Sequence, residues 1–391
     1  MSLSGALQHL IAWRTPSRPV AVMRIGMAVA VLLELRNSAQ TLLRLGDPGI
    51  IRTPFVAWTP AVNDGLAFVL IASWLVSAIA LLVGWRTRLA ASALTVTLAA
   101  VLILDQQLFS NHLYLMTLLC GLLAIADSGA ALSIDARQVG ERPDIGGWPV
   151  WLMRFQVAAV YGFAALAKLN PDYLSGSVVA STLRRSGPLA VPDAWRSMEP
   201  MMALAVLAVC AEGFLAIALW SRRWRPAAFV VALGLHGGLI IWFAPTYQLI
   251  VFSLTLLPVL VLFLDPAPGR VVVWDDGCGF CATWVKWFKR LDWLHALRFV
   301  PRSQLATSGL PVTEDAAARA LQLVLPTGVV HGGFAAVGRI LEILPVSFLW
   351  APLLRIPPIA WVGELAYRRV ALRRKCELPA VQQGAPASQH N

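Results

Sequence analysis

The stretch Val271-Val272-Val273-Trp274-Asp275-Asp276-Gly277-Cys278-Gly279-Phe280-Cys281 places two thiols three positions apart directly after an apolar run. Val271 to Trp274 reads as a buried strand. Cys278 to Leu291 reads as a helix with Trp284, Trp287, Phe288 and Leu291 on one face. A strand followed at once by a Cys-x-x-Cys that opens a helix is the thioredoxin-like arrangement. Thiols at this spacing can close a small disulfide ring, so they can take up or release an electron pair. The first cysteine sits where unsatisfied N–H groups and the helix dipole stabilise a thiolate, which makes Cys278 the expected nucleophile. Cys281, one turn along, is the expected resolving thiol. Asp276, or Asp275 beside it, is the candidate proton relay to Cys281, although an aspartate after a strand more often serves a turn.

Working outward, further strands are expected at Leu297 to Val300 and Leu321 to Leu325, the latter linked to Val329-Val330 by Pro326-Thr327-Gly328. Helices are expected at 333 to 344 and 358 to 374. Pro326 is the candidate for a proline facing the dithiol. Zinc in a structural site needs four ligands, and His295, His331 and Cys376 are isolated, so no metal is expected. Before this stretch stands Leu264-Asp265-Pro266-Ala267-Pro268-Gly269, a Pro/Gly linker that divides the chain into residues 1–265 and 266–391.

The first part is lipid-like in composition. The chain is 58% hydrophobic and 14% charged, with mean hydropathy +0.67, against roughly 45 to 50% apolar in ordinary soluble domains. Apolar spans are expected near 20–35, 66–84, 89–104, 113–127, 150–168, 200–220, 227–243 and 248–264, about eight helices. The first is the weakest, because Arg24 and Glu34 sit near its ends. Arg86 and Arg88 follow the second, Arg137 and Arg142 the fourth, and Arg222, Arg223 and Arg225 the sixth, whereas the links 105–112 and 244–247 hold no Lys or Arg. The positive-inside rule then puts both termini in the cytoplasm, in an integral, multi-pass protein of a bacterial inner membrane. Trp58, Trp85, Trp148, Trp151, Trp220 and Trp242 suit an interfacial belt. The net charge of +11 is read as orientation and contact with membrane lipid, not nucleic-acid binding. Cys120 and Cys210 read as small packing residues inside apolar helices.

Ionisable groups within or at the edge of the apolar spans are few, and His112, Lys168, Glu212 and His236 stand out among them. A charge in the bilayer core costs several kcal/mol, about 2.5 to 3.5 on insertion scales, so such groups usually face a protein interior and mark a site. The bland alternative is that Lys168 snorkels to the headgroups and His112 simply sits at the interface. Tyr161 and Lys168 are seven residues apart and share a helix face, with Pro171 just beyond.

Ser110-Asn111-His112-Leu113-Tyr114-Leu115 and the run Tyr161-Gly162-Phe163-Ala164-Ala165-Leu166-Ala167-Lys168-Leu169-Asn170-Pro171 resemble the two best-marked motifs of the HTTM membrane domain, shared with vitamin K-dependent gamma-carboxylase. The resemblance implies that Lys168 matches a lysine base that deprotonates reduced vitamin K, and that His112 matches a histidine assisting the glutamate-side chemistry. His236 falls where a later helix of the family carries histidine. Tyr161, Asn170, His236 and Glu212 are the expected ligand-binding residues. The large lumenal portion that recognises a carboxylase substrate is not found in this sequence, so quinone-type chemistry is the expectation carried over. Asp276-Gly277-Cys278-Gly279-Phe280-Cys281, with Gly333-Phe334-Ala335, Leu344-Pro345, Pro357 and Tyr367-Arg368-Arg369, resembles the DCC family of thiol-disulfide oxidoreductases.

The expected architecture is a membrane α-helical bundle with a small C-terminal α/β thioredoxin-like domain. The expected activity is thiol-disulfide exchange by Cys278 and Cys281 on a disulfide-containing protein or small molecule. The residues themselves fix no cofactor; the resemblance implies a vitamin K-like quinone. Two alternatives stay open: a carboxylase-like or peptide-modifying enzyme using Lys168 as base, and a membrane transporter or binding module.

Overall fold

A computed structural model describes residues 12–47, 49–184, 197–242, 247–264 and 269–373. The chain separates into two compact units, Met1–Asp265 and Pro266–Asn391. Residues 265–268 of the expected linker, and Cys376, lie outside the described residues.

The first unit is helical. Its main elements are α1 (Ser17–Arg44), α2 (Asp64–Val83), α3 (Thr87–Leu104), α4 (Asn111–Ile125), the short α5 (Ile134–Val139), α6 (Trp148–Ala167), the short α7 (Pro171–Leu174) and α8 (Ser177–Arg184), α9 (Met198–Ala218), α10 (Arg225–Trp242) and α11 (Tyr247–Leu260). Five of these, α2, α3, α6, α9 and α10, are long and apolar enough to cross a membrane. α4 and the Tyr247–Phe263 segment are shorter apolar helices.

The first helix is 28 residues long, and Arg24 and Glu34 lie inside it, not near its ends. Both are buried and both have partners, which is how the helix tolerates them. Arg24 donates from Nη1 to Ser128 O at 2.9 Å and from Nη2 to Leu132 O at 2.6 Å. A short two-stranded clasp holds the same helix at its start, where β1 (Arg14–Pro16) pairs antiparallel with β2 (Asp144–Gly146). Ser17 Oγ donates to Arg142 O at 2.6 Å, and Arg18 meets Glu141 at 2.6 Å. Farther along, Gly26 lets α1 approach Pro258 of α11 so closely that a Cβ there would lie 2.6 Å from the proline ring. Buried Trp74 of α2 donates to Val31 O at 3.1 Å.

α2 ends at Gly84, which has φ +72° and presses against Ser133 and Arg24. An added Cβ would lie 2.3 Å from Ser133 Cβ and 2.9 Å from Arg24 Nη1. Gly84→Ala combines a left-handed backbone with a clash, so it is expected to destabilise the bundle by about 2 kcal/mol or more. Thermal unfolding of the detergent-solubilised protein reads this directly; an unchanged midpoint would contradict it.

Cys120 is fully buried in α4, as packing requires, but Cys210 is exposed on α9. Bundle helices turn an apolar face outward as well as inward, so an apolar neighbourhood does not tell the two apart.

The second unit is built on β3 (Val271–Trp274), β4 (Arg298–Pro301), β5 (Gln322–Val324) and β6 (Val330–Gly332), in spatial order β4-β3-β5-β6. β4 is parallel to β3, β5 antiparallel to β3, and β6 antiparallel to β5. The helices are α12 (Gly279–Leu291), α13 (Glu314–Arg319), α14 (Gly333–Ile343) and α15 (Pro357–Arg373). A parallel pair joined through a helix and extended by an antiparallel hairpin is the thioredoxin-like sheet. Both faces of β3 are covered, which explains its unbroken apolar sequence. Val272 packs with Val285, Phe288, Leu323 and Ile340 on one side, and Val271 and Val273 pack with Val300, Leu305 and Val324 on the other.

Two details depart from the sequence-based expectation. The buried stripe of α12 is Cys281, Val285 and Phe288, while Trp284 and Trp287 are about half exposed, at 51% and 53%. Spacing of four and then three selects the first stripe, and the tryptophans form the neighbouring one. Pro326 does not face the dithiol: it follows Val324, which pairs with Val271 at the end of β3 remote from Cys278. Leu321, at the other end of that strand, is the residue on the cysteine side.

Candidate functional site

Cys278 is the N-cap residue of α12, with extended backbone (φ −115°, ψ 110°), and Cys281 lies in the first turn. The placement follows from β3: the strand ends at Trp274, the turn Asp275 to Gly277 reverses the chain, and Cys278 N donates to Asp275 O at 3.3 Å. Cys278 and Cys281 are buried, at 1% and 7% exposure.

The two aspartates divide their roles. Asp276 is exposed and accepts from Ser303 Oγ at 2.6 Å and Ser303 N at 3.2 Å, which fastens the active turn to the segment after β4. Burial raises its carboxyl, but the Ser303 hydrogen bonds outweigh this and hold it below the usual carboxylate range. Asp275 is the buried carboxylate, 1% exposed, with Oδ1 3.2 Å from Arg302 Nη1 and Oδ2 without a hydrogen-bond partner. Because the folded state binds the Asp276 proton less tightly than the unfolded chain does, this contact stabilises the turn above the ordinary aspartate value, about pH 3.9. Its contribution fades as pH falls through the depressed value. Ser303→Ala is expected to move the Asp276 titration midpoint upward, as read by carboxyl-carbon NMR; a fixed midpoint would rule this contact out as the cause.

A cavity of about 260 Å³ lies beside the cysteines, with Cys281, Phe280, Trp284 and Leu321 on one side and Phe334, Gly363 and Tyr367 among the others. Its lining is almost wholly apolar.

The ionisable groups of the helical unit form separate clusters. Lys168, at the C-terminal end of α6, donates from Nζ to both carboxylate oxygens of Glu212 on α9 at 2.7 Å. The ammonium also lies 5.8 Å from the Tyr173 ring centroid. Asn170 spends its amide on the adjoining turn, accepting from Tyr173 N at 2.9 Å and donating to Ala167 O at 2.8 Å, so it shapes the Lys168 loop. Buried Tyr161 and His236 share a hydrogen bond between Oη and Nε2 at 2.8 Å, and His236 Nδ1 meets Ser253 Oγ at 3.1 Å. Glu212 lies within electrostatic reach of Tyr161, which ties the two groups to one region.

His112 belongs to another cluster. Its Nε2 meets Glu34 Oε2 at 3.1 Å and Ser110 Oγ at 3.1 Å, and Ser38 Oγ donates to Glu34 Oε1 at 2.8 Å. No described contact joins His112 to Lys168. Glu34 and Ser253 were not expected as site residues. A carboxylate inside an apolar run was the available signal for Glu34, and Ser253 carried none.

Among the described residues, no group of three or more His, Cys, Asp or Glu could hold a metal ion. Residues 14–267 match the HTTM domain family, two thirds of the chain. The chain belongs to the HTTM domain family. Following its HTTM domain, residues 272–376 match the DCC1-like thiol-disulfide oxidoreductases, so a membrane domain and a redox domain share one polypeptide. Neither a curated protein nor a solved structure matches this HTTM protein.

Proposed function

We propose that this HTTM protein is a membrane-bound thiol-disulfide oxidoreductase in which Cys278 is the attacking thiol and Cys281 the resolving one. The observation that carries the reading is Cys278 at the N-cap of α12, directly after a strand covered on both faces. There the first N–H groups and the helix dipole favour the thiolate.

The Cys278 thiolate attacks one sulfur of a substrate disulfide, forming a mixed disulfide and releasing the first substrate thiol. Cys281 then loses its proton and attacks Cys278 Sγ, closing the Cys278–Cys281 disulfide and releasing the second substrate thiol. The substrate gains two electrons and two protons, and a dithiol donor restores the pair. Asp275, buried and with a vacant acceptor oxygen, suits the proton relay better than Asp276, whose carboxylate is committed to Ser303.

Both termini lie on the cytoplasmic side in this reading, because Arg clusters mark the links α2–α3, α4–α6 and α9–α10 whereas α3–α4 and α10–α11 hold no Lys or Arg; the longer links α1–α2 and α6–α9, on the same outer side, carry some Arg. A cytoplasmic dithiol is kept reduced, so it donates electrons and does not install structural disulfides. The helical unit takes a quinone-like molecule. Supporting this is an apolar groove of about 580 Å³ between α6 and α9, lined by Phe155, Gly162, Phe163, Leu166 and Ala216 on the helices that bear Tyr161, Lys168 and Glu212. Lys168, held by Glu212, is the candidate base of this cluster.

The deciding experiment uses the full-length Cys281→Ser variant. A substrate captured on Cys278 as a stable mixed disulfide, absent from Cys278→Ser, supports the assignment. No captured species, together with no thiol-dependent turnover in purified membranes, refutes it.

A further inference from the structure

α15 (Pro357–Arg373) is apolar on two opposite sides. Its inner side, with Gly363, Ala366 and Val370, lines the cavity beside Cys281. Trp361, Leu365, Arg368 and Leu372, spaced four, three and four apart, run along the opposite side. Trp361 is 66% exposed, Leu365 46% and Leu372 86%. Arg368 lies within this outer stripe and Arg369 beside it, and the one acidic residue of the helix, Glu364, is paired with Arg368 at 2.9 Å. The preceding turn adds exposed Leu353, Arg355 and Ile356.

A helix with apolar residues on two opposite sides needs cover on both, and the second unit packs against only one side of this helix. The pattern of the uncovered side, a tryptophan and leucines edged by arginines, is that of a helix lying in the membrane interface. Chain connectivity supplies the bilayer. Only residues 264–270 separate Phe263, at the end of the last apolar segment of the HTTM domain, from Val271 of β3. Seven residues span at most roughly 25 Å, which tethers the start of β3 close to the membrane domain.

We infer that the outer stripe of α15 is a lipid-docking surface, which seats the DCC1-like domain on an anionic bilayer with Trp361, Leu365 and Leu372 in the headgroup–acyl boundary. Arg368 and Arg369 meet lipid phosphates. The inference depends on the membrane attachment of the chain and not on its thiol chemistry.

The test places a benzophenone amino acid at Leu365 of the full-length protein, reconstituted in phosphatidylcholine vesicles with or without a quarter phosphatidylglycerol. After irradiation, adducts are mapped by mass spectrometry. Lipid adducts at position 365, enriched with phosphatidylglycerol and absent from a control label at Val329, support docking. Adding Arg368→Gln and Arg369→Gln is expected to cut their yield roughly tenfold. Adducts to the HTTM helices or to a second copy overturn the inference, as does a label that captures no lipid. Because the label is read chemically, a protein without thiol activity answers the question equally well.

Discussion

Cys278→Ser is expected to reduce thiol-disulfide turnover to background, a loss of at least about a thousandfold, while Cys281→Ser leaves the first attack intact. Serine cannot supply a thiolate, and no other described cysteine lies at a helix N-terminus after a strand: Cys120 is buried within α4 and Cys210 is exposed midway along α9. The two variants separate on a single-turnover assay. Cys281→Ser should give a burst of one equivalent of released substrate thiol and then stop, because the mixed disulfide has no resolving partner. Cys278→Ser should give no burst. Equal bursts in both variants would place the attack on Cys281 and overturn the assignment of roles.

The second large effect lies in the helical unit. Glu212→Ala is expected to destabilise the protein by about 2 to 4 kcal/mol, because it strands the Lys168 ammonium among apolar helices. The lower part of the usual range for a broken pair applies, since the lysine side chain retains 27% exposure against 11% for the glutamate. Removing both charges together, as in Lys168→Met with Glu212→Leu, should restore most of the loss, because two apolar side chains replace two desolvated charges. Thermal unfolding in detergent supplies both numbers. If the double variant is as unstable as Glu212→Ala alone, the pair does not act as a unit and the polar cluster around Tyr161 must carry the difference.

What could be seen in the sequence was local. The strand, turn and helix around Cys278 are encoded within some twenty residues, by an apolar run, two glycines and a period change, so their reading survives folding. On α12 the large side chains of Trp284 and Trp287 suggest burial but lie half exposed, while Phe288 is buried and Leu291 packs against the core, because burial follows the spacing of Cys281, Val285 and Phe288. Pairings across the bundle were invisible. Glu34 and His112 are 78 positions apart and Lys168 and Glu212 are 44 apart, and nothing in a single chain says which helices face each other. Charges within apolar runs therefore announced that partners must exist without naming them. Arg24 and Glu34 show the cost: in sequence they mark the ends of a weak span, yet both are buried within the longest helix described, each with hydrogen-bond partners on other elements.

That same arginine imposes an order in time. Arg24 leaves the ribosome 104 residues before the carbonyl of Ser128 that it will need, and the strand partner of Arg14 to Pro16 appears later still, at Asp144 to Gly146. At about 5 to 20 residues per second, its guanidinium waits roughly 5 to 20 seconds for that acceptor. Until then α1 must keep it among water and headgroups. α1 is therefore made early among the described helices and settles late, and the long-range pairing of β1 with β2 closes behind it like a latch.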